Sequence, residues 1–445
     1  MAKQKNNWYV GIDVGGTKIQ ASLCKECGVV VASAREATPR DGSPEETIGA
    51  IISAVSKALS EEDKTLKDLS AVGIAVPGVV DPMGNVVGTP NMNLGGVKLK
   101  SILEKKLGVP VAVGNDGNLG ALGESWVGSG HGSKTIISIC VGTGIGSGIV
   151  IDGHLLAGAC DAAGEIGHMH VLDDGPVCGC GNHGCFEAVA GRLAIERDIR
   201  AALDSGKTSI ISDLMAQKGG MIKSGMLNTA LKNSDPLVSQ IVTRAAVVIG
   251  RVCRSVRHLI DPETIILGGG LMEACGWFLM PIIQREIEDD HLITSARKRE
   301  VVFSSLGDDA VVFGALALAR IEIGRSPFEA QFHILPEYPI LSQNSDGSIQ
   351  AKKTVYSKTR FYIRSNGKDK AWKSSDPFPP ETEFLNDIVS GGVECLFVGS
   401  DSGAILSDEC KEFLKQRNVE WKEDKISKII QSYNKSTVRR AAIFN

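Results

Sequence analysis

An apolar stretch, a glycine-rich turn and a second apolar stretch follow one another twice in this chain, and that grammar limits the available folds more than any other feature. Trp8–Ile12 reads as a strand, Val14–Lys18 as a tight turn and Ile19–Leu23 as the returning strand, with Val29–Ser33 continuing the meander. The order recurs when Lys134–Val141 runs into the glycine turn 142–148 and strand resumes at Gly148–Ile151. Glycines in such a turn bring backbone N–H groups close to an anion. Two such hairpins in one protein imply duplicated halves around a cleft. Strand resumes at Ile19, where a dinucleotide-binding fold would begin a helix, and the GxxxxGKS of a P-loop is absent.

Helical and extended periods alternate around the hairpins. Glu45–Leu59 carries a helical period, Ala71–Val76 a strand ending in Pro77-Gly78, Leu99–Leu107 a short helix and Val111–Val113 a strand. Leu193–Asp204 and Pro236–Leu259 read as helices and Thr264–Leu267 as a strand. This is an α/β pattern, a mostly parallel or mixed sheet covered by helices. At 445 residues the chain is too long for one core, so two or three domains are expected. With 43% apolar residues, 22% charged residues and a formal charge of -4, fibrous, disordered and polybasic readings are excluded. No run of eighteen apolar residues and no signal-peptide core is present, so a cytoplasmic protein with no membrane association is expected. After a linker near Arg325–Pro336 the composition shifts, and periodicity at Gly392–Val398, Ser407–Gln416 and Lys425–Tyr433 predicts a small accessory α/β domain over 335–445.

The chemistry concentrates at a few places. In Asp13-Val-Gly15-Gly16-Thr17-Lys18 the glycines admit a phosphate, Thr17 adds a hydroxyl, Lys18 a charge and Asp13 a carboxylate able to hold hydrated magnesium. Gly142-Thr143-Gly144 makes a second phosphate turn, and Gly268-Gly269-Gly270 lets a purine or ribose approach the backbone. Asn115-Asp116-Gly117-Asn118 stands at a strand-to-helix junction, where Asp116 can accept a hydroxyl proton, although helix capping alone would also explain these residues. His168, Cys178, Cys180 and Cys185 offer three thiolates and an imidazole, a closed structural zinc set with no open position for catalysis. Glu165 and Glu187 flank that loop with carboxylates suited to sugar hydroxyls, and Asn91 begins a paired-amide loop able to line a polar pocket. The other cysteines, including Cys24 of a CxxC pair, read as incidental thiols.

Taken in order, these segments resemble the ROK family of sugar kinases and repressors, within the actin-like ATPase architecture. The resemblance covers about residues 8–325: DVGGTK at 13–18, NDGN at 115–118 in place of the usual NDAN, GTGIGSG at 142–148, EIGH at 165–168, CGCGNHGCFE at 178–187, GGG at 268–270 and GDDAVVFGA at 307–315. It implies an actin-like, ribonuclease H-like two-lobed fold. One lobe would span 1–125, completed by a crossing helix near 308–325, and a zinc-containing lobe would span 126–307. It also implies Asp116 as general base, and Asn91, Asn115, Glu165, His168 and Glu187 as sugar ligands. His168, Cys178, Cys180 and Cys185 would hold one structural zinc per chain, with magnesium accompanying ATP. Asp13, Gly15–Lys18, Gly142, Thr143, Gly268–Gly270 and Gly314 would lie on the nucleotide side.

The AGEIGH context at 163–168 is closest to glucokinases, so ATP-dependent phosphorylation of glucose to glucose 6-phosphate leads. An N-acetylmannosamine or N-acetylglucosamine kinase and a non-catalytic sugar-sensing regulator are the alternatives, and polyphosphate is an alternative donor. A homodimer is expected. No DNA-binding domain is expected, because only 12 residues precede Asp13. The tail at 392–445 is similar to a small α/β family first described from a methanogen protein; the resemblance carries over no biochemical function, and regulation, partner binding or dimer support are the candidate uses.

Overall fold

The computed structural model describes residues 8–25, 29–39, 42–89, 92–218, 220–292 and 300–328, and, further on, 341–343, 348–351, 354–356, 361–363, 369–371, 385, 388, 395–400, 406–416, 419–435 and 440–444. The chain divides into two compact units, the first running to Glu329 and the second from Ala330, with residues 27–29 grouped with the second. Both are mixed α/β. The predicted linker falls largely outside the described residues.

The first unit runs β1 (Trp8–Val14), β2 (Lys18–Lys25), β3 (Val30–Ala37), α1 (Pro44–Ser60), β4 (Leu69–Val76), β5 (Val79–Val80), β6 (Val86–Gly88), α2 (Leu99–Leu107), β7 (Val111–Asn115) and α3 (Asp116–Val127). It continues with β8 (Thr135–Val141), β9 (Ile145–Ile151), β10 (His154–Leu155), α4 (Phe186–Ala190), α5 (Arg192–Asp204), α6 (Ile211–Lys218), α7 (Ser224–Lys232) and α8 (Pro236–Ile260). Last come β11 (Thr264–Gly268), α9 (Gly270–Glu288), β12 (Glu300–Phe303) and α10 (Ala310–Glu322). The order β3-β2-β1-β4-β7 in one sheet is repeated as β10-β9-β8-β11-β12 in the other. In each, an antiparallel meander of three strands is extended by two parallel strands. The duplication legible in the two glycine hairpins is therefore a duplication of whole sheets.

Each sheet buries its own apolar core. Around the first, Val10, Ile12 and Ile74 pack with Ile51 and Val55 of α1. Around the second, Ile137, Ile139 and Leu267 pack with Val242 and Ile249 of α8 and Leu279 of α9. Helix α1 starts where it does because Ser43 accepts from the Glu46 N–H while the Glu46 carboxylate accepts from the Ser43 N–H, a capping box with Pro44 in the first turn. Asp235 caps α8 by accepting from the Val238 N–H at 2.9 Å, with Pro236 in the first turn. Among the described residues α8 alone is long and apolar enough to cross a membrane, yet its apolar face is packed in this core.

Helices α3 and α10 join the halves, because α3 packs on β8 and β9 while α10 lies on β1 and β4. Their contacts are too close for side chains. A Cβ at Gly73 would lie 1.7 Å from Ala315 O, and one at Gly314 would lie 1.7 Å from Leu119 O. Gly314 is thus a buried packing residue at the α3–α10 crossing, which corrects its expected place among the nucleotide contacts.

In the second unit Cys395–Gly399 is the central strand, parallel to Glu420–Asp424 on one side and to Arg440–Phe444 on the other. Side chains alternate along it: Leu396 and Val398 pack with Cys410 and Leu414 of helix Asp408–Gln416, whereas Cys395 and Phe397 pack with Ile426, Ile430 and Tyr433 of helix Ile426–Lys435. Two antiparallel strands, Phe361–Ile363 and Asp369–Ala371, extend the sheet beyond Arg440–Phe444, and burial on both faces is what its central parallel strands with a helix on each side require.

Candidate active site

The segment Asn115–Asn118 turns from β7 into α3. The Asn115 side chain caps the helix by accepting from the Asn118 N–H at 3.0 Å and donates to Gly78 O at 2.9 Å. The same side chain also hydrogen-bonds the Asp116 carboxylate, so this amide fixes Asp116 beside it and retains one acceptor site for a ligand. Asp116 follows in the first helical turn, its Oδ1 accepting from the Gly117 N–H at 2.8 Å. Burial pushes the Asp116 carboxyl above its ordinary value, the Gly117 hydrogen bond pulls it down, and the charge of Glu165 raises it further. A free aspartate is a weak base, and this environment makes Asp116 a stronger one.

Asp13, at the end of β1, faces the same space. Burial, followed by the charge of Asp116, pushes its pKa up to about 6; Lys18 opposes the rise and Asp308 adds to it. Lys18 Nζ lies 3.9 Å from Asp308 Oδ2. Three carboxylates facing one lysine leave the cleft short of positive charge, which suits a divalent cation carried in with a polyphosphate.

The glycine turns lie where the sequence puts them, but their N–H groups are not all available. The Gly15 N–H donates to Lys18 O and the Gly142 N–H to Gly144 O, each at 2.9 Å, closing its own hairpin. This corrects the expectation that those two amides face phosphate. Thr17 and Thr143 are exposed at the turn tips. The triple glycine divides by role. Gly268 ends β11 in the core, while Gly269 has φ +87 and a Cβ there would come within 2.8 Å of Cys140 Sγ and Val141 O. Gly270 opens α9, whose N-terminal end carries the partial positive charge that favours phosphate. Asn91 lies outside the described residues.

The ligand atoms of His168, Cys178, Cys180 and Cys185 all fall within 4.8 Å of one another. Cys180 Sγ and Cys185 Sγ are 3.7 Å apart, and Cys178 Sγ is 3.5 Å from His168 Nδ1. A tetrahedral zinc with Zn–S of about 2.3 Å and Zn–N of about 2.0 Å sets sulfur–sulfur edges of about 3.8 Å and sulfur–nitrogen edges of about 3.5 Å. The four residues therefore fit that ion. The other ring nitrogen of His168, Nε2, is 4.0 Å from a carboxylate oxygen of Glu165. Glu187, the second residue of the helix that follows Cys185, accepts from the Ile145 N–H at 2.9 Å through Oε2, while its Oε1 lies 3.7 Å from Cys178 Sγ. One carboxylate thus links the His168, Cys178, Cys180 and Cys185 cluster to the second glycine turn.

Several site residues escaped the sequence reading. Arg192 donates to the Thr143 hydroxyl at 3.2 Å and to Ile222 O at 2.8 Å, bracing the second turn from below. A cation in the first turn of a helix opposes the dipole, and that was the available signal. Asp308 could have been found from the paired aspartates before α10. Glu124 gave no signal. It is buried at the end of α3 and accepts from Ser304 Oγ at 2.5 Å, the Leu306 N–H at 3.1 Å and the Ser129 N–H at 2.8 Å, which fixes the loop carrying Asp308.

Comparison with known proteins gives consistent matches over this unit. A model described as the ROK family matches residues 9–322. A glucokinase of Halalkalibacterium halodurans is 34% identical over 69% of this chain and 94% of its own length. A xylose repressor of Caldicellulosiruptor bescii is 28% identical over 69% of this chain and 77% of its own. The structure of a ROK family glucokinase from Streptomyces griseus in complex with glucose and AMPPNP superposes with a TM-score of 0.60 at 32% identity, covering 71% of this chain and all of that one.

Proposed function

The chain belongs to the ROK family, and from that premise we propose that it is an ATP-dependent glucokinase in which Asp116 accepts the proton of the attacking sugar hydroxyl. The observation that carries the reading is the placement of Asp116. It is half-buried and raised in pKa at the start of α3, electrostatically coupled to Glu165 and to Asp13 of the first glycine turn. A base between a sugar pocket and a phosphate cleft is the arrangement phosphoryl transfer needs, since the chemistry asks mainly for alignment and neutralised charge. Asn115, Glu165, His168 and Glu187 bind the sugar hydroxyls, with Asn91 joining them. Thr17, Lys18, Thr143 and the start of α9 at Gly270 receive the phosphates. Asp13 holds the magnesium that comes with ATP, which supplies charge neutralisation. His168, Cys178, Cys180 and Cys185 hold a structural zinc that supplies folding energy and no open catalytic position.

A panel of glucose, mannose, fructose, N-acetylglucosamine and N-acetylmannosamine against ATP and polyphosphate tests the substrate assignment. Glucose with ATP is expected to give the highest kcat/KM; a higher value for an N-acetylhexosamine, or for polyphosphate, would displace it. The acid limb of the pH profile tests the cleft electrostatics. Asp13 must be ionised to hold a cation, so kcat/KM is expected to fall as pH drops through about 6, where this residue takes up a proton. An acid limb centred near pH 4 would mean that Asp13 does not govern it.

The kinase machinery described above lies wholly within the first unit. A chain cut after Glu329 is therefore expected to stay folded and keep its hexose kinase activity within about twofold, because neither sheet core loses a residue. Loss of activity in a folded, zinc-loaded 1–329 protein would assign the second unit a part in catalysis.

A further inference from the structure

Strand β9 begins at the second phosphate turn, and the parts of the proposed sugar site are fastened to it one after another. Its first residue, Ile145, donates its N–H to Glu187. Two residues on, Ser147 lies against the start of α3: a Cβ at Gly117 would sit 3.0 Å from Ser147 O and 3.3 Å from Ser147 N. The next residue, Gly148, has no room for a Cβ either, which would lie 2.8 Å from Asn118 Cα. The Ser147 side chain is buried between Ile145 and Ile149 of the core, and its hydroxyl donates to Gly164 O. Gly164 has φ +87 and immediately precedes Glu165, and its carbonyl also accepts from the Ile166 N–H at 2.7 Å. A hydroxyl on an otherwise apolar strand face thus holds the one carbonyl that turns the chain into Glu165 and His168.

We infer that Ser147 is a positioning residue: it does not touch substrate, but locks the Gly164–His168 turn to the phosphate hairpin, so that Glu165 and His168 stand in register with Asp116 across β9. The geometry is independent of function, whereas its kinetic consequence rests on the hexose kinase reading above. Without the hydroxyl, Gly164 O keeps only its local bond to Ile166, and the turn is free to drift from the strand. Glu165 and His168 would bind the sugar in its ground state and transition state alike, so the loss falls on KM rather than kcat.

Ser147→Ala in the full-length protein removes one oxygen and leaves the packing intact. It is expected to raise KM for glucose about fivefold to tenfold, with kcat and KM for ATP within about twofold, the size of one lost hydrogen bond. Hydrogen exchange in peptides covering 163–168 is expected to accelerate about tenfold, with no change in those from β1 and β4. Ser22→Ala is the control, since Ser22 is another buried strand hydroxyl, paired with Ser33 Oγ at 2.8 Å in the other sheet. Wild-type exchange at 163–168 in Ser147→Ala overturns the inference, whatever the protein phosphorylates. So does an unchanged KM in an active enzyme, or an equal rise in KM in Ser22→Ala. A wild-type protein inactive on every hexose would fail the kinase reading alone, leaving the exchange result to decide the role of Ser147.

Discussion

Asp116→Asn is expected to lower kcat for hexose phosphorylation by about 100-fold or more, with KM for the sugar changing by no more than about threefold. General-base catalysis is typically worth about 10² to 10⁴ in rate, and asparagine keeps nearly the same shape as aspartate. The amide oxygen can still accept the Gly117 N–H, so the start of α3 should be undisturbed. A second readout separates loss of the base from damage to the site. The Asp116 charge is the leading influence, after burial, that raises Asp13. Removing it lets Asp13 ionise at lower pH, so the acid limb of the residual activity is expected to move below its wild-type position near pH 6. A kcat within about threefold of wild type at saturating sugar would remove Asp116 from the role of base, and an unshifted acid limb would mean the two carboxylates do not face one another in solution.

Wild-type protein is expected to carry about one zinc per chain, and Cys178→Ser to abolish its binding. The four ligands close a loop that opens at His168 and ends at Cys185, the N-cap of α4. Apparent binding free energies of structural zinc in small peptides are about 10 kcal/mol or more at neutral pH, and that energy is folding energy. Without it, Glu187 loses its support in α4 and His168 its orientation, so activity is expected to fall more than about 100-fold together with local unfolding around 169–187. Elemental analysis and hydrogen exchange read the two effects separately. Fully active protein free of zinc would overturn the assignment. Changing His168 should cost more activity than changing Cys178 at equal zinc loss, because His168 Nε2 points toward Glu165 and away from the thiols.

What could be read from the sequence was set by local signals. The glycine hairpins at 13–18 and 142–148 and the helical periods of α1, α2, α5 and α8 are short-range patterns, and they appear in the structure with ends shifted by a residue or two. The Cys178, Cys180 and Cys185 spacing, with His168 ten residues before it, was legible as a candidate ligand set, and the fold brings those four side chains within 4.8 Å of one another. Helices α6 and α7 were missed, since 205–235 has no clean period, and α9 was hidden behind its three glycines. Gly314 was misassigned because a glycine in a motif looks the same whether it admits a nucleotide or a neighbouring helix. Only the Leu119 carbonyl, 1.7 Å from where its Cβ would be, separates the two. Glu124, Arg192 and Ser147 each have a partner between 17 and 182 residues away, and no local pattern encodes such pairings. The rise in the Asp116 and Asp13 pKa values is equally non-local, since it arises from burial and from charges that only the fold brings together.

The most direct test is to follow purified protein with glucose and magnesium ATP by phosphorus NMR. Glucose 6-phosphate and ADP are expected to appear one for one, with no release of inorganic phosphate beyond the slow background. Binding of glucose and ATP without any sugar phosphate, under conditions where the protein is folded and zinc-loaded, would contradict the assignment of this cleft as a hexose kinase site and leave a sugar-sensing role in its place.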